Sequence, residues 1–195
     1  MIQIIDYGAG NIKSVFNALE KLGFESKVVD SAEKLDVRCK TIFPGVGAAG
    51  SAMKQLQERG FVDVLVNFDA PFLGICLGMQ LLMDFSYEDE VECLGIISGM
   101  VREFPDRVKV PQIGWNRVVQ CCGENLLFKD VPDRSYFYFV NSYYVGAGVN
   151  VVGSTNYGVN FASVVNRDNF YGVQFHPEKS GKVGLKLLNN FCELC

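Results

Sequence analysis

The chain has very little histidine: His176 is the only one among its 195 residues. Any reaction that needs an imidazole base must therefore use this residue. The chain also lacks an excess of basic residues, since 18 Lys and Arg stand against 22 Asp and Glu and leave a formal charge of −4. Without a basic field, we expect neither nucleic acid nor an anionic membrane surface as the main partner.

Long hydrophobic runs are missing as well. The longest uncharged apolar stretch, around residues 70–83, is too short to span a bilayer and is interrupted by Pro71, Gly74 and Gly78. The amino terminus has no charged leader and no cleavage site, so we interpret its apolar residues as a first strand. A cytoplasmic location is the resulting expectation.

The cysteines do not form a recognisable framework. There are seven, an odd number scattered along the chain, which favours reduced thiols over paired disulfides. Cys192 and Cys195 have C-x-x-C spacing, but there is no histidine nearby and no second C-x-x-C. We therefore interpret them as partly buried helix residues rather than as zinc ligands. We expect no metal and no cofactor.

What the sequence does have is a regular alternation of short apolar segments and helix-like segments in its first half. The periodicity predicts strands at residues 2–5, 24–29, 40–43 and 72–75, and helices at residues 11–22, 51–60, 61–68 and 77–83. Such alternation is typical of a parallel sheet that is covered by helices on both faces.

The second half changes character. Residues 94–101, 109–119, 136–145 and 150–166 are rich in β-branched and aromatic residues and in turn glycines, which predicts an antiparallel β extension. One more strand is expected at 171–175 and a closing amphipathic helix at 182–194. No repeat or linker divides the chain. The expectation is a single α/β domain over residues 1–195, with a mostly parallel central sheet flanked by helices.

Cys76 lies in the most informative motif, Gly74-Ile-Cys-Leu-Gly78. An apolar strand precedes it and a helix-like run follows, which is the context of a nucleophile elbow with cysteine in place of serine. A thiol at a helix N-terminus is favoured as the thiolate. The alternative is that the glycines serve only close packing of strand and helix. The six other cysteines lack this strand–turn–helix context.

His176 and Glu178 complete a candidate triad. In an extended segment, residues two apart face the same side, so Glu178 could orient the His176 ring and stabilise its charged form. Pro177 between them excludes a helix at this point. The alternative for Glu178 is a solvated turn carboxylate beside Lys179. We favour a triad in the chain order Cys76, His176, Glu178.

Backbone N–H groups for an oxyanion hole are predicted at two places. The N–H of Leu77, directly after the thiol, is one candidate, and the glycine-rich turn at residues 44–47 is the other. A competing motif is Gly8-Ala9-Gly10, which follows the first strand and resembles part of a dinucleotide fingerprint. Its third glycine position holds Lys13, so nucleotide binding is the weaker interpretation.

The motifs around Cys76 and His176 resemble those of the class I (triad) glutamine amidotransferases, a family with a flavodoxin-like fold. Further motifs at residues 6–11, 44–47, 114–116 and 175–180 resemble the branch that supplies ammonia to a separate (β/α)8-barrel cyclase of the HisF type. The match runs nearly from end to end. It implies hydrolysis of L-glutamine at Cys76, with His176 passing a proton to the leaving ammonia.

The resemblance also implies roles for individual residues. Val46, Gly47 and Leu77 would form the oxyanion hole, and this could require a flip of the Val46 peptide. Gly47, Gln80, Ser142 and Tyr143 would hold the glutamine. The cyclase would use the ammonia to make imidazole glycerol phosphate and aminoimidazole carboxamide ribotide in histidine biosynthesis. The residues implied to face this partner are Tyr7, Asn11, Trp115, Asn116, Tyr138 and Lys179, with a buried core position as the alternative for Trp115.

Two positions depart from the family pattern. Gln112 and Asn141 stand where the branch usually has histidine, and both lose titration and ring stacking while keeping hydrogen-bonding ability. Neither is a triad member. The changes leave open an alternative partner, because related glutaminases supply a sugar amidotransferase in surface-polysaccharide biosynthesis. A third hypothesis is a non-catalytic nucleotide-binding module built on Gly8–Gly10.

Overall fold

The computed structural model describes residues 1–8, 11–121, 123–148 and 150–195. The described residues form five α-helices, which are α1 (Ile12–Lys21), α2 (Ala49–Glu58), α3 (Phe61–Leu65), α4 (Leu77–Gln80) and α5 (Gly181–Leu194). They also form fourteen strands. These are β1 (Ile2–Ile5), β2 (Ser26–Val29), β3 (Thr41–Gly45), β4 (Phe72–Cys76), β5 (Phe85–Ser86), β6 (Val91–Glu92), β7 (Met100–Glu103), β8 (Gln112–Arg117), β9 (Val119–Gln120), β10 (Tyr136–Asn141), β11 (Tyr143–Val145), β12 (Val151–Asn156), β13 (Asn160–Arg167) and β14 (Phe170–Val173).

The main sheet has a parallel core and an antiparallel extension. Its order is β2-β1-β3-β4-β14-β13-β11-β7-β5-β6, and off this path β12 pairs with β13 and β9 pairs with β12. The five strands from β2 to β14 are all parallel to their neighbours, whereas β13 runs antiparallel to β14 and β11 antiparallel to β13. This confirms the predicted class of a mostly parallel sheet with flanking helices and an antiparallel extension.

Alternation along the strands explains why helices cover both faces. Phe72 of β4 lies in one hydrophobic cluster with Phe61 of α3, and the next residue, Leu73, lies in a second cluster with Leu187 of α5. Successive side chains of a strand point to opposite faces. The apolar runs of β1, β3 and β4 therefore supply two separate cores, one beneath α2 and α3 and one beneath α1 and α5.

A second sheet consists of β8 and β10 alone, paired antiparallel, and is called the ribbon below. Its register sets Trp115 opposite Tyr138 and Gln112 opposite Asn141. Because paired residues share a face, the first pair lies on one side of the ribbon and the second pair on the other. Trp115 is exposed, whereas Gln112 and Asn141 are buried.

The prediction of a strand over residues 94–101 is wrong for most of that segment. The backbone N–H groups of Leu94, Ile96 and Ile97 donate to carbonyls of Leu81 and Leu82, just past α4. The segment therefore satisfies the carbonyl groups that the end of a helix leaves unpaired. Pairing in the sheet begins only at Met100. The helix expected over 77–83 correspondingly ends at Gln80.

Other predicted segments are divided or shortened. The segment 136–145 breaks at Ser142, because β10 pairs within the ribbon while β11 pairs with β7 and β13. The segment 150–166 divides into the antiparallel pair β12 and β13. The two-residue strands β5, β6 and β9 are too short to leave a periodic signal. In the described ranges, no helix has the length and apolar character needed to cross a bilayer.

Candidate active site

Cys76 has a backbone conformation that non-glycine residues rarely adopt. It ends β4 and directly precedes α4, with φ of +57° and ψ of −113°. A positive φ costs free energy for a residue with a Cβ, and such strain concentrates at functional sites. The turn holds the thiol at the N-terminus of α4, as the strand–turn–helix pattern predicts.

The flanking glycines are required by close contacts between strand and helix. A Cβ on Gly78 would overlap the carbonyl oxygen of Phe43 in β3. A Cβ on Gly74 would lie 2.7 Å from the carbonyl oxygen of Gly78. Only hydrogen side chains let α4 approach β3 and β4 this closely. The sharp turn at Cys76 and the close packing of α4 therefore depend on the same two glycines, and the packing interpretation does not exclude the nucleophile elbow.

Three neighbouring parallel strands bring the predicted site together. Gly45 of β3 is paired in register with Cys76 of β4, and Val173 of β14 is paired with Ile75. His176 follows β14 by three residues. Parallel strands have their carboxyl ends at the same edge of the sheet, where open α/β sheets bind ligands. Residues far apart in the chain thus meet at one edge.

His176 and Glu178 form a buried hydrogen-bonded pair. His176 Nδ1 lies 2.9 Å from Glu178 Oε1, and the two side chains are 5% and 1% exposed. The sequence predicts an extended segment here, but the structure has one 3₁₀ turn at Pro177–Lys179, directly after His176. The turn still places both side chains on the same side. Because Nδ1 faces the carboxylate, Nε2 is the ring nitrogen available to another group.

The pKa of His176 is strongly perturbed. Burial lowers it, but hydrogen bonds and charge interactions with Cys76 and Glu178 outweigh burial and raise the pKa to about 10. The ring therefore interacts with the thiol on one side and the carboxylate on the other. This arrangement favours an imidazolium at neutral pH.

Two polar groups besides His176 contact the sulfur of Cys76. The thiol donates to the carbonyl oxygen of Val140 over 3.7 Å, and the side-chain amide of Gln174 donates to Sγ over 3.8 Å. Gln174 is fully buried. It was not among the residues predicted from the sequence, although it lies only two positions before His176.

Gln80 connects this amide to the wall of the site. Its Nε2 donates to the carbonyl oxygen of Tyr143 over 3.0 Å and to Oε1 of Gln174 over 2.9 Å. Both hydrogens of the Gln80 amide are therefore engaged. The atom of Gln80 left to meet a ligand is Oε1, which can only accept a hydrogen bond.

A cavity of about 340 Å³ opens beside Cys76 and has room for a small ligand. Every residue predicted for the oxyanion hole and for glutamine binding lines it, namely Val46, Gly47, Leu77, Gln80, Ser142 and Tyr143. His176 and Lys179 line it as well. The structure thus places these predicted residues around one space, next to the strained cysteine.

Glu88 is a cavity residue that no sequence motif identified. Its Oε2 accepts from the backbone N–H of Ala49 at the start of α2 over 2.9 Å. Burial raises the pKa of Glu88 above its ordinary value, and the nearby acidic residues Asp89 and Glu103 add to the shift. Glu88 thus brings an acidic group to the cavity from a loop between β5 and β6.

The residues predicted to face a partner are not all on one surface. Trp115 is 55% exposed and packs edge-on against Tyr138, with ring centroids 6.0 Å apart. Lys179 is exposed, and Asn11 is half-buried. The exposed position of Trp115 contradicts the alternative that it is a core residue. Tyr136 is also exposed on this side of the ribbon, with Arg117 over its ring.

Two of these predictions need correction or restriction. The Tyr7 side chain is fully buried and packs on Phe43, so it does not contribute to an exposed surface. Burial and the nearby Cys76 raise its pKa above the ordinary value. Asn116 is engaged within the chain, because its amide donates to the carbonyl of Asn156 and its oxygen accepts from Arg117. The first of these bonds ties β8 to the end of β12.

The two departures from the family pattern are direct neighbours. Gln112 and Asn141 are cross-strand partners on the buried face of the ribbon. Gln112 Oε1 and Asn141 Oδ1 are both buried and have no hydrogen-bond partner. Asn141 donates through Nδ2 to the carbonyl of Tyr143, and it also lines the cavity. The substitutions therefore lie close to the site without belonging to the candidate triad.

The two weaker interpretations were metal binding and nucleotide binding. Within the described ranges, no group of three or more His, Cys, Asp and Glu side chains is arranged to hold a metal ion. Cys192 is buried in α5 as a free thiol, and burial raises its pKa to about 12. In the Gly8-Ala9-Gly10 motif, Ala9 and Gly10 lie outside the described residues.

The fold and the sequence match those of known glutamine amidotransferases. The chain matches the family model described as "Glutamine amidotransferase class-I" over residues 3–194, and it belongs to that family. A crystal structure of a glutamine amidotransferase shares the fold with a TM-score of 0.74 at 20% identity, covering 98% of this chain and 97% of that chain. A glutamine amidotransferase from Thermotoga maritima gives a TM-score of 0.66 at 15% identity, covering 98% of this chain and 96% of that chain.

Closer relatives narrow the class. Imidazole glycerol phosphate synthase subunit HisH from Haemophilus influenzae is 47% identical over 195 residues, which covers 98% of this chain and 96% of the relative. The protein of the same name from Methanocaldococcus jannaschii is 47% identical over 199 residues and covers all of both chains. Within its class, the chain therefore belongs to the HisH family.

Proposed function

We propose that the chain is the glutaminase subunit of an imidazole glycerol phosphate synthase and that Cys76 is its nucleophile. The main support is the geometry at Cys76, which has a strained backbone and interacts with the ring of His176. Both residues line the cavity, and the chain belongs to the HisH family. His176 takes the thiol proton. The thiolate then attacks the side-chain amide carbon of L-glutamine to form a tetrahedral adduct.

His176 next acts as the acid. The imidazolium, oriented through Nδ1 by Glu178, donates its proton to the leaving nitrogen, and the carbon–nitrogen bond breaks to release ammonia. A glutamyl thioester of Cys76 is left. Water, deprotonated by the now neutral ring, attacks the thioester and releases glutamate and the thiol. Glu178 accepts from Nδ1 and so keeps a proton on that nitrogen, which leaves Nε2 to exchange protons with Cys76 and the substrate.

The cavity walls supply recognition of glutamine. Gln80 Oε1 and the Glu88 carboxylate are acceptors that suit the α-ammonium group of the substrate. Gly47, Ser142 and Tyr143 provide backbone and hydroxyl groups for the α-carboxylate and the side chain. A site built from such polar pairs rejects analogues that lack the matching group.

Two backbone N–H groups serve the developing oxyanion. Leu77 is the first residue of α4, so its N–H has no partner within the helix. The second group comes from the turn that contains Val46 and Gly47, where Gly47 has φ of +97°. A glycine at positive φ lets the Val46 peptide rotate toward the sulfur, which is how we propose that the oxyanion hole is completed.

The released ammonia passes to a HisF-type (β/α)8-barrel cyclase in histidine biosynthesis. We place the partner on the exposed face of the ribbon, where Trp115 and Tyr138 pack together, and at Lys179 and Asn11. Large exposed aromatic side chains are typical anchors of protein interfaces. We further propose that residues 1–195 form one glutamine amidotransferase domain and that it works in the cytoplasm.

A glutamate-release assay tests the enzyme. Replacement of Cys76 by Ala removes the nucleophile and should abolish turnover, whereas Cys93→Ala changes a thiol outside the cavity and should retain it. An electrophilic glutamine analogue should label Cys76 and none of the other six thiols. Unchanged turnover in Cys76→Ala would refute the proposed reaction.

A second assay tests the pathway. The chain is mixed with a HisF-type cyclase, and glutaminase turnover is measured with and without the cyclase nucleotide. Strong stimulation supports histidine biosynthesis, which the names of the relatives favour. Absence of stimulation would instead favour delivery of ammonia to a sugar amidotransferase.

A further inference from the structure

Gln174 lies at the carboxyl edge of the sheet, directly after β14 and between the cavity and the core. Its side chain is fully buried, and its backbone N–H donates to the carbonyl of Ser163 over 2.9 Å. A buried amide is costly unless its donor and acceptor are both used. The partners that Gln174 has are the informative feature, because they determine which end of the amide faces Cys76.

The orientation of the Gln174 side-chain amide follows from the carbonyl oxygen of Tyr143, which can only accept hydrogen bonds. The carbonyl oxygen of Tyr143 lies 3.0 Å from Gln80, so Gln80 must present its NH₂ group there. The same NH₂ group lies 2.9 Å from the Gln174 amide. A donor requires an acceptor, so Gln174 must turn Oε1 toward Gln80. Its own NH₂ group is then directed the other way.

The NH₂ group of Gln174 lies 3.8 Å from Sγ of Cys76. A donor at this position favours the thiolate over the thiol, whereas the carbonyl of Val140, 3.7 Å away, accepts from the thiol only. On the basis of the proposed function, we propose that Gln174 is a positioning residue that stabilises the Cys76 thiolate through this donor. Gln80 holds Gln174 in the required orientation.

Other charged and titratable groups also surround the sulfur and are left in place by the test. His176, backed by Glu178, approaches from the end of β14, and Tyr7 approaches from the end of β1. Glu88 and Lys179 lie across the cavity. None of these groups changes in a variant of Gln174, so a shift in such a variant reports the lost amide donor.

The test measures the rate of Cys76 alkylation by iodoacetamide against pH, with mass spectrometry of the Cys76 peptide. Gln174→Met keeps the length of the side chain but removes donor and acceptor. We expect the pH midpoint of alkylation to rise by about one unit, which corresponds to about 1.4 kcal/mol. Gln80→Met, which frees Gln174 to rotate, should raise the midpoint by less. Turnover in Gln174→Met should fall through kcat more than through KM.

Gln3→Met is the matched control. Gln3 is an equally buried glutamine whose bonds go to Asp36 and Thr41, away from the cavity. The pH midpoint of Cys76 alkylation in Gln3→Met should equal that of the wild type. If Gln174→Met does not fold, as judged by circular dichroism, Gln174→Leu takes its place.

An unchanged midpoint in the Gln174 variant, or an equal rise in Gln3→Met, would overturn the inference. The proposed function fails separately, if Cys76→Ala keeps its glutaminase activity.

Discussion

The backbone N–H of His176 donates a hydrogen bond to the carbonyl oxygen of Tyr138 over 2.9 Å. Tyr138 packs edge-on against Trp115 on the exposed face of the ribbon, so one residue connects that face to the proposed base. Ser180 reinforces the connection. Its Oγ accepts from the backbone N–H of Tyr138 over 3.0 Å and donates to the carbonyl of His176 over 2.6 Å. A displacement of the ribbon would therefore also displace His176.

The first prediction concerns this serine. Ser180→Ala leaves the N–H of Tyr138 without its buried partner and removes one of two hydrogen bonds to the carbonyl of His176, which still accepts from the backbone N–H of Lys179. We expect the free energy of unfolding to fall by about 1–3 kcal/mol. Chemical denaturation measures this change. Stimulation of glutaminase turnover by the cyclase should also weaken, because His176 is less firmly tied to Tyr138.

Ser163→Ala is the control for this prediction. Ser163 is also fully buried, but its hydroxyl has no hydrogen-bond partner. Its removal should be neutral or slightly stabilising. Equal losses in the two variants would show that the Ser180 bonds do not link the ribbon to the site.

The second prediction uses the fact that His176 is the only histidine. Its ring signals in an NMR titration need no further assignment. Hydrogen bonds and charge from Cys76 and Glu178 overcome burial and raise the pKa to about 10, so the ring should be protonated at pH 7. Cys76→Ala and Glu178→Gln should each lower the titration midpoint. A midpoint near 6.5 in the wild type would contradict the triad geometry.

The same shift has a consequence for stability. The pKa in the folded state lies above the ordinary value of 6.5, so the folded state binds the proton more tightly than the unfolded state. The stabilisation is therefore complete below about pH 6.5 and is lost as the pH rises toward 10. Urea unfolding of the wild type and of Cys76→Ala across this range should converge at high pH.

The third prediction concerns the elbow. Gly78→Ala would push a methyl group into the carbonyl oxygen of Phe43, and neither backbone can yield easily. We expect a loss of about 3 kcal/mol or more in the free energy of unfolding. Gly123→Ala meets no atom within 4 Å and should change stability by less than about 0.5 kcal/mol. A tolerated Gly78→Ala would refute the close approach of α4 to β3.

The fourth prediction concerns Gln112 and Asn141. Their unpaired carbonyl oxygens lie on facing residues, so an imidazole N–H placed at either position can reach the oxygen of the other. The change in the free energy of unfolding of the double variant Gln112→His, Asn141→His should therefore differ from the sum of the two single changes by about 0.5–3 kcal/mol. Lys34→Ala, at an exposed ion pair on another part of the chain, should be additive with Gln112→His. Additive effects of the two histidines would show that the residues do not interact.

The fifth prediction concerns the proposed partner surface. Trp115→Ala should weaken binding of the cyclase by about 30-fold, which corresponds to about 2 kcal/mol, as measured by titration calorimetry. Because Trp115 is largely exposed, the free energy of unfolding should hardly change. Val28→Ala removes an exposed apolar side chain on β2 and should bind normally. Normal binding by Trp115→Ala would place the partner elsewhere.

Most of the candidate site was accessible from the sequence because its residues sit in short local motifs. Cys76 is identified by its neighbours Gly74 and Gly78, and Glu178 by its spacing from His176. Gln174 and Glu88 were missed for a physical reason. Their importance depends on what they contact, and those contacts cross long stretches of chain, as from Gln174 to Cys76.

The errors have the same origin. Residues 94–101 have strand-like composition, but the backbone N–H groups of Leu94, Ile96 and Ile97 donate to carbonyl groups just past α4 and not to a neighbouring strand. Tyr7 lies in a sequence motif that the family resemblance assigns to the partner interface, yet its ring packs in the core against Phe43. In both cases, tertiary packing overrode a local signal.

The sequence by itself determined the alternation of helices and strands, the strained turn at Cys76, and the pairing of the only imidazole with Glu178. These features depend on neighbours in the chain. Only the tertiary structure decided that β3, β4 and β14 lie side by side, that Gln174 turns its amide nitrogen to the sulfur, and that Gln112 faces Asn141. Hydrogen bonds and packing between distant segments set those relations, and no local pattern records them.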